Sequence, residues 1–116
     1  MKTFVKEIDG FKIYFEALEE NSCIDENWSD DEEMRNDTIK KLNNFDLVMF
    51  CAKITAEKNG IELADDYLGM CIYENEESFY NTKGCYFDDM CNTVINEAKV
   101  AIRELSRDIT QHYHSI

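Results

Sequence analysis

The chain contains no proline and only four glycines in 116 residues. Nothing in it forces a helix to break, and a glycine-rich phosphate cradle, a P-loop or a G-x-S-x-G elbow has no residues to be built from. No apolar run approaches the ~18 residues of a membrane-spanning helix, and no charged-then-apolar leader follows Met1. The five cysteines, at 23, 51, 71, 85 and 91, include no C-x-x-C pair. Free thiols in a reducing cytosol are therefore expected, not a disulfide framework. Bases are scarce: twelve face twenty-five acids, for a formal charge of −13. A field of that sign repels nucleic acids and anionic membranes unless a basic patch offsets it, and no such patch is present. The reading is a cytoplasmic protein with no direct nucleic-acid or membrane partner.

The sequence does carry enough apolar material for one core, with 44% apolar residues, seven Phe, six Tyr and one Trp. That quantity suits a single domain over 1–116. It divides into a hairpin (1–18), an acidic loop with a short helix (19–44), a second hairpin (45–74) and a helical segment (75–116).

The first hairpin turns at Asp9-Gly10, a dipeptide that tolerates positive φ. Pairing across it sets Ile8 against Phe11 and Phe4 against Phe15, with Ile13 on the same apolar face, while Glu7 meets Lys12 on the other. Lys6 intrudes on the apolar side, where its stem can snorkel. Asn59-Gly60 signals a second hairpin between 47–58 and 61–73. Strict pairing aligns Val48, Phe50, Ala52, Ile54 and Ala56 with Leu63, Tyr67 and Cys71. It also sets Asp65 against Ile54, so a bulge near Asp65-Asp66 is expected, with Gly69 a further place to kink. Leu47, Met49, Leu68, Met70 and Ile72 fall on the second face.

Asp30 or Asp31 can cap a short helix through 37–42. A helical turn over 76–81 precedes the clearest element. There Phe87, Met90, Cys91, Val94, Ala98, Ala101, Ile102, Leu105 and Ile109 recur at steps of three and four along a helix over about 86–111. The fold class is α+β: an antiparallel sheet of two β-hairpins, with the long C-terminal amphipathic helix packed on one face and short connecting helices.

Charge is distributed unevenly. Residues 16–34 hold nine acids without a base, 59–82 hold six without a base, and 90–116 balance three against three. The two base-free stretches can build one negative surface whose carboxylates stand in for phosphates toward a basic groove; the competing reading is plain solvation. Glu62, Asp65, Asp66, Glu74, Glu76 and Glu77, with Asp30, Asp31, Glu32 and Glu33, are the candidate partner contacts. Trp28, alone in the acidic loop, is either an interface anchor or a lid on the core.

Catalytic and metal sites are not expected. Asp25-x-Asn27-x-Ser29 starts like a calcium loop, but Asp30 stands where glycine is needed and Asn36 where a bidentate Glu belongs. Asp65-Asp66 and Asp88-Asp89 lack a partner His. His112-Tyr113-His114 lacks zinc spacing and reads as a frayed tail. Cys51, Cys71 and Cys91 fall on apolar-patterned positions and read as small core residues. No cofactor is implied.

The stretches Phe45-Asp46-Leu47, Ala52-Lys53-Ile54-Thr55-Ala56, Gly60-Ile61-Glu62-Leu63, Asp66-Tyr67-Leu68-Gly69, Cys71-Ile72-Tyr73, Glu77-Ser78-Phe79 and Tyr86-Phe87-x-Asp89-Met90 resemble small acidic proteins carried by phages and other mobile elements. That group includes anti-CRISPR proteins and DNA mimics that block restriction enzymes. The resemblance covers the C-terminal two-thirds and is one of strand and helix positions. It implies a non-enzymatic inhibitor of a host defence complex, and the acidic surface points to that complex's basic nucleic-acid-binding groove as the place of action. The alternative is an interaction module in which the second sheet face forms a homodimer and acidity serves solubility.

Overall fold

The computed structural model describes residues 2–25, 27–81 and 86–114, with the side chains of the last helix described as far as Arg107. The chain runs β1 (Lys2–Ile8), β2 (Phe11–Leu18), α1 (Glu32–Asn43), β3 (Val48–Lys58), β4 (Ile61–Tyr73), α2 (Glu77–Asn81) and α3 (Tyr86–His114). The strands form one antiparallel sheet in the order β1-β2-β3-β4, with α3 across one face. The expected α+β architecture is thus the observed one. Both turn dipeptides hold positive φ at both positions, 53° and 83° at Asp9-Gly10 and 54° and 80° at Asn59-Gly60, the combination whose twist matches right-handed strands.

The core lies between α3 and the inner sheet face. Ile13, Ile54, Ala52, Ala56, Val94 and Ala98 are wholly buried. Phe79, from α2, plugs the open end with ring centroids 5.5–6.2 Å from Phe15, Phe50, Tyr73 and Phe87. The Phe15 ring is stacked on it and the other three meet it edge to face, both geometries that add to the burial of area.

Several expected registers are corrected. In β1 a bulge at Val5 lets Ile8 face Phe11 and Glu7 face Lys12 as expected, but moves Phe4 opposite Tyr14 on the uncovered face, where it is 52% exposed. An extra residue reverses the sidedness of everything beyond it. Lys6 stays on the inner side and lies over the Phe87 ring, 5.3 Å from its centroid. In β4 the bulge falls earlier than expected, at Leu63. Asp66 rather than Asp65 therefore faces Ile54, Asp65 faces Thr55, and Tyr67 turns outward beside Lys53. Leu68 consequently packs inward, and a second bulge at Gly69-Met70 restores Cys71 to the core opposite Phe50. Cys51 is not a core residue: it lies half-buried on the uncovered face, paired with Leu18.

The helix α1 starts earlier than 37–42. Asp31 is its N-cap, accepting from Met34 N at 3.0 Å. It closes with Phe45 N–H donating to Leu42 O and Asp46 N–H to Lys41 O, the two bonds of a Schellman motif. The position of that motif usually held by glycine is held by Phe45, at φ 63° and 85% exposed.

The helix α3 keeps its apolar stripe only as far as the sheet does. Lys99 Nζ reaches Asp9 Oδ2 at the β1–β2 turn (3.2 Å), and Ile102, beside Phe11 and Lys58 at the turn end of the sheet, is the last of the stripe to pack against the core. Ala101 and Ile102 are half-buried, and Leu105, expected in the core, is 57% exposed. The tail expected to fray is helical through His114; the side chains of Ile109 and the two histidines, and Cys85, lie outside the described set. Among the described residues no helix is long and apolar enough to cross a membrane.

Candidate functional site at the open edge of β4

β4 pairs with β3 on one side, and no strand pairs with its other side among the described residues. The base-free run 59–82 becomes this edge and the corner after it. Asp65 projects onto the uncovered face and Asp66 onto the helix side, so the adjacent pair is split across the sheet. Glu74, Glu76 and Glu77 are exposed at the corner leading into α2. No ion pair among the described residues reaches Asp65, Asp66, Glu74, Glu76 or Glu77.

Glu62 differs from these five. The Lys2 ammonium passes over the Tyr14 ring, 4.4 Å from its centroid, to Glu57 (3.3 Å) and Glu62 (2.5 Å). The bond from Lys2 holds the Glu62 carboxyl below its ordinary range, and Glu62 in turn raises the Lys2 ammonium. Glu62 is therefore a partner within the fold first and a free surface charge second.

The acids of the first stretch are elsewhere. Asp31 is spent as the cap of α1, and Glu32 and Glu33 occupy its first turn, where they suit the helix dipole. Asp30 is exposed beside them. The helix packs closely against none of the other elements, so the structure does not join these four acids to the β4 edge. Asp25, the first residue of the rejected calcium pattern, instead closes a turn. Its Oδ1 accepts from Asn27 N (2.9 Å), and its carbonyl accepts from Trp28 N (3.0 Å). Arg35 fastens this loop to α1 through Ser29 O.

Trp28 does reach β4. It and Tyr86, the first residue of α3, line a cleft of about 300 Å³ together with β4 from Leu68 to Tyr73. The wall contains the second bulge, with Met70 at φ 56°. Glu20 crosses from the end of β2 to hold it: Glu20 Oε2 accepts from Met70 N at 2.8 Å. That bond, assisted by those from Ser22, keeps the Glu20 carboxyl below its ordinary range. A Cβ on Gly69 would lie 2.9 Å from the same oxygen, so glycine leaves the room in which the carboxylate sits. One residue earlier on the edge, Tyr67 N donates to Asp66 Oδ1 at 3.1 Å.

Sequence reasoning missed Glu20 and Tyr86. Gly69 inside a strand pattern was the available signal for the bulge, but nothing in the sequence pairs it with a glutamate fifty positions away. Burial pushes the thiols of Cys71 and Cys91 up, the latter to about 11, which removes nucleophilic character at neutral pH. Among the described residues no three His, Cys, Asp or Glu side chains converge as a metal site would require. No family model matches the chain, and neither a curated protein nor a solved structure matches it. Its function must be argued from its geometry.

Proposed function

We propose that the chain is a non-enzymatic inhibitor that lays the acidic edge of β4 on the basic nucleic-acid-binding groove of a host nucleic-acid-targeting complex. The observation that supports this is the set Asp65, Asp66, Glu74, Glu76 and Glu77, which borders one open edge and its corner without an ion pair among the described residues. At about 3.3 Å per strand residue, Asp65 to the end of β4 at Tyr73 covers roughly 26 Å, with the other three acids just beyond it. Five charges over that length are sparse beside a duplex, which carries one per ~1.7 Å of axis. The proposed action is therefore blockade of a basic patch rather than imitation of a duplex along its length.

The test uses purified CRISPR effectors and restriction complexes with a labelled target duplex. The protein and DNA should exclude one another, and the protein's affinity should fall steeply as salt rises from 50 to 300 mM. Undiminished DNA binding across the panel at saturating protein would overturn the proposal.

A second reading is favoured by the two carboxylates, on Asp66 and Glu20, that accept N–H groups at Tyr67 and Met70. Charged side chains on an open edge prevent another chain from adding as a strand, and edge protection alone would account for the acids. In that case Asp65→Asn with Asp66→Asn would cause aggregation and leave any inhibition unchanged.

A further inference from the structure

We infer that the cleft lined by Trp28 and Tyr86 is a receptor for a guanidinium group, the arginine side chain of a basic partner. This rests on the acidic-edge reading and names the anchor within it. Two properties of the cleft select the ligand. Two of the side chains lining it, Trp28 and Tyr86, are aromatic, and aromatic rings hold a planar cation by both stacking and attraction to the ring quadrupoles. The field is negative, because Glu20 accepts from Met70 N in the strand wall at 2.8 Å, a bond that favours its ionised form, and Glu74 follows the wall directly in the chain. Guanidinium, with five N–H donors and no acceptor, suits such carboxylates. An anionic or neutral apolar ligand would not use that field. An ammonium would satisfy the charge but offers no plane to stack.

Trp28 is the only tryptophan in the chain, so its emission reports on the cleft directly. The experiment titrates the intact protein at 20 mM NaCl with N-acetyl-Thr-Arg-Thr-amide, with its lysine counterpart, and with its citrulline counterpart, which keeps the shape of arginine without the charge. Binding is followed in parallel by calorimetry. The arginine peptide should change Trp28 emission saturably, the lysine peptide should bind at least threefold more weakly, and the citrulline peptide should have no effect. Tyr86 is 62% exposed, so Tyr86→Ala can be made without opening the core, and it should weaken the arginine peptide at least fivefold. An equal response to citrulline, or an unaltered affinity in Tyr86→Ala, overturns the receptor. Calorimetric binding of the arginine peptide with no change in Trp28 emission overturns the receptor and leaves the acidic edge standing. No binding by either readout overturns the receptor, and the acidic edge is then judged by the DNA-exclusion assay alone.

Discussion

The cations of β1 are committed within the fold. Lys2 spans Tyr14, Glu57 and Glu62, and Lys6 lies over Phe87 with Asp88 at 3.9 Å. Asp65 and Asp66 of β4, and Glu74, Glu76 and Glu77 at its corner, have no ion-pair partners among the described residues. Asp66 even lies across from Ile54, where an apolar residue would extend the core. The charges of β1 are thus explained by the fold that contains them. No ion pair explains those of Asp65, Asp66, Glu74, Glu76 and Glu77: self-repulsion makes them a cost to compactness, and the proposed partner or the exclusion of other strands would supply their use.

Reversing the β4 edge should break the contrast with the largest effect. Asp65→Lys, Asp66→Lys and Glu76→Lys together should weaken binding to a basic groove by about 100-fold or more at low salt, since each reversal replaces an attraction with a repulsion. Circular dichroism should show an unchanged fold. The matching triple on the balanced helix, Glu97→Lys, Glu104→Lys and Asp108→Lys, should leave most of the affinity intact.

The next effect sits beneath the β1 edge, where Cys91 is 2% exposed and its thiol is raised to about 11 by burial, with Lys6 pulling the other way. A thiol whose folded value lies above its unfolded one contributes stability that is complete below about pH 8.5–9 and is lost as pH rises toward 11. Thermal melts should show about 2 kcal/mol lost across that window, and Cys91→Ala should flatten the dependence.

Asp66→Leu sharpens the comparison by making β4 apolar where β3 already is. It should stabilise the monomer by about 1 kcal/mol through added burial and increase concentration-dependent association in sedimentation runs. Away from both edges, Phe45→Gly should add about 1 kcal/mol in urea unfolding, because glycine adopts the positive φ of the α1 terminus freely and an 85% exposed ring has little packing to lose. Lys2→Ala should have the smallest effect, a fall in Tm of a few degrees at most. Its raised value makes the Lys2 contribution complete below pH 10.5 and lost above. The lowered value of Glu62 makes its share complete above pH 4.5 and lost as pH falls.

The architecture was legible because its determinants are local. Asp9-Gly10 and Asn59-Gly60 set both hairpins, and the three-and-four spacing from Phe87 to Ala98 set the buried stripe of α3. Sidedness was less legible. Bulges at Val5 and Leu63 each invert the alternation that pattern reading depends on, which is why Phe4 and Tyr67 were expected on the wrong face. Leu105 was expected in the core because periodicity reports a stripe without the length of surface available to cover it. Of the candidate contacts, Asp65, Asp66, Glu74, Glu76 and Glu77 share an edge because they share a strand and its corner. Asp30, Asp31, Glu32 and Glu33 lie just before and in the first turn of α1, a placement that sequence proximity to Trp28 did not reveal. Glu20 and Tyr86 complete the cleft by contacts across the fold, and no local rule encodes such contacts.

The order β1-β2-β3-β4 also has a kinetic consequence. Every strand neighbours its predecessor in the chain, so each hairpin can close over its own two-residue turn before any distant contact is made. Joining the hairpins requires β2 to find β3 across the segment 19–47, and the entropic cost of that closure grows only logarithmically with length. Inserting a flexible stretch near Cys23, in the exposed part of that connection, should therefore slow refolding slightly and leave unfolding nearly unchanged. The acidic loop and α1 can in this way lengthen or diverge while the sheet keeps its register.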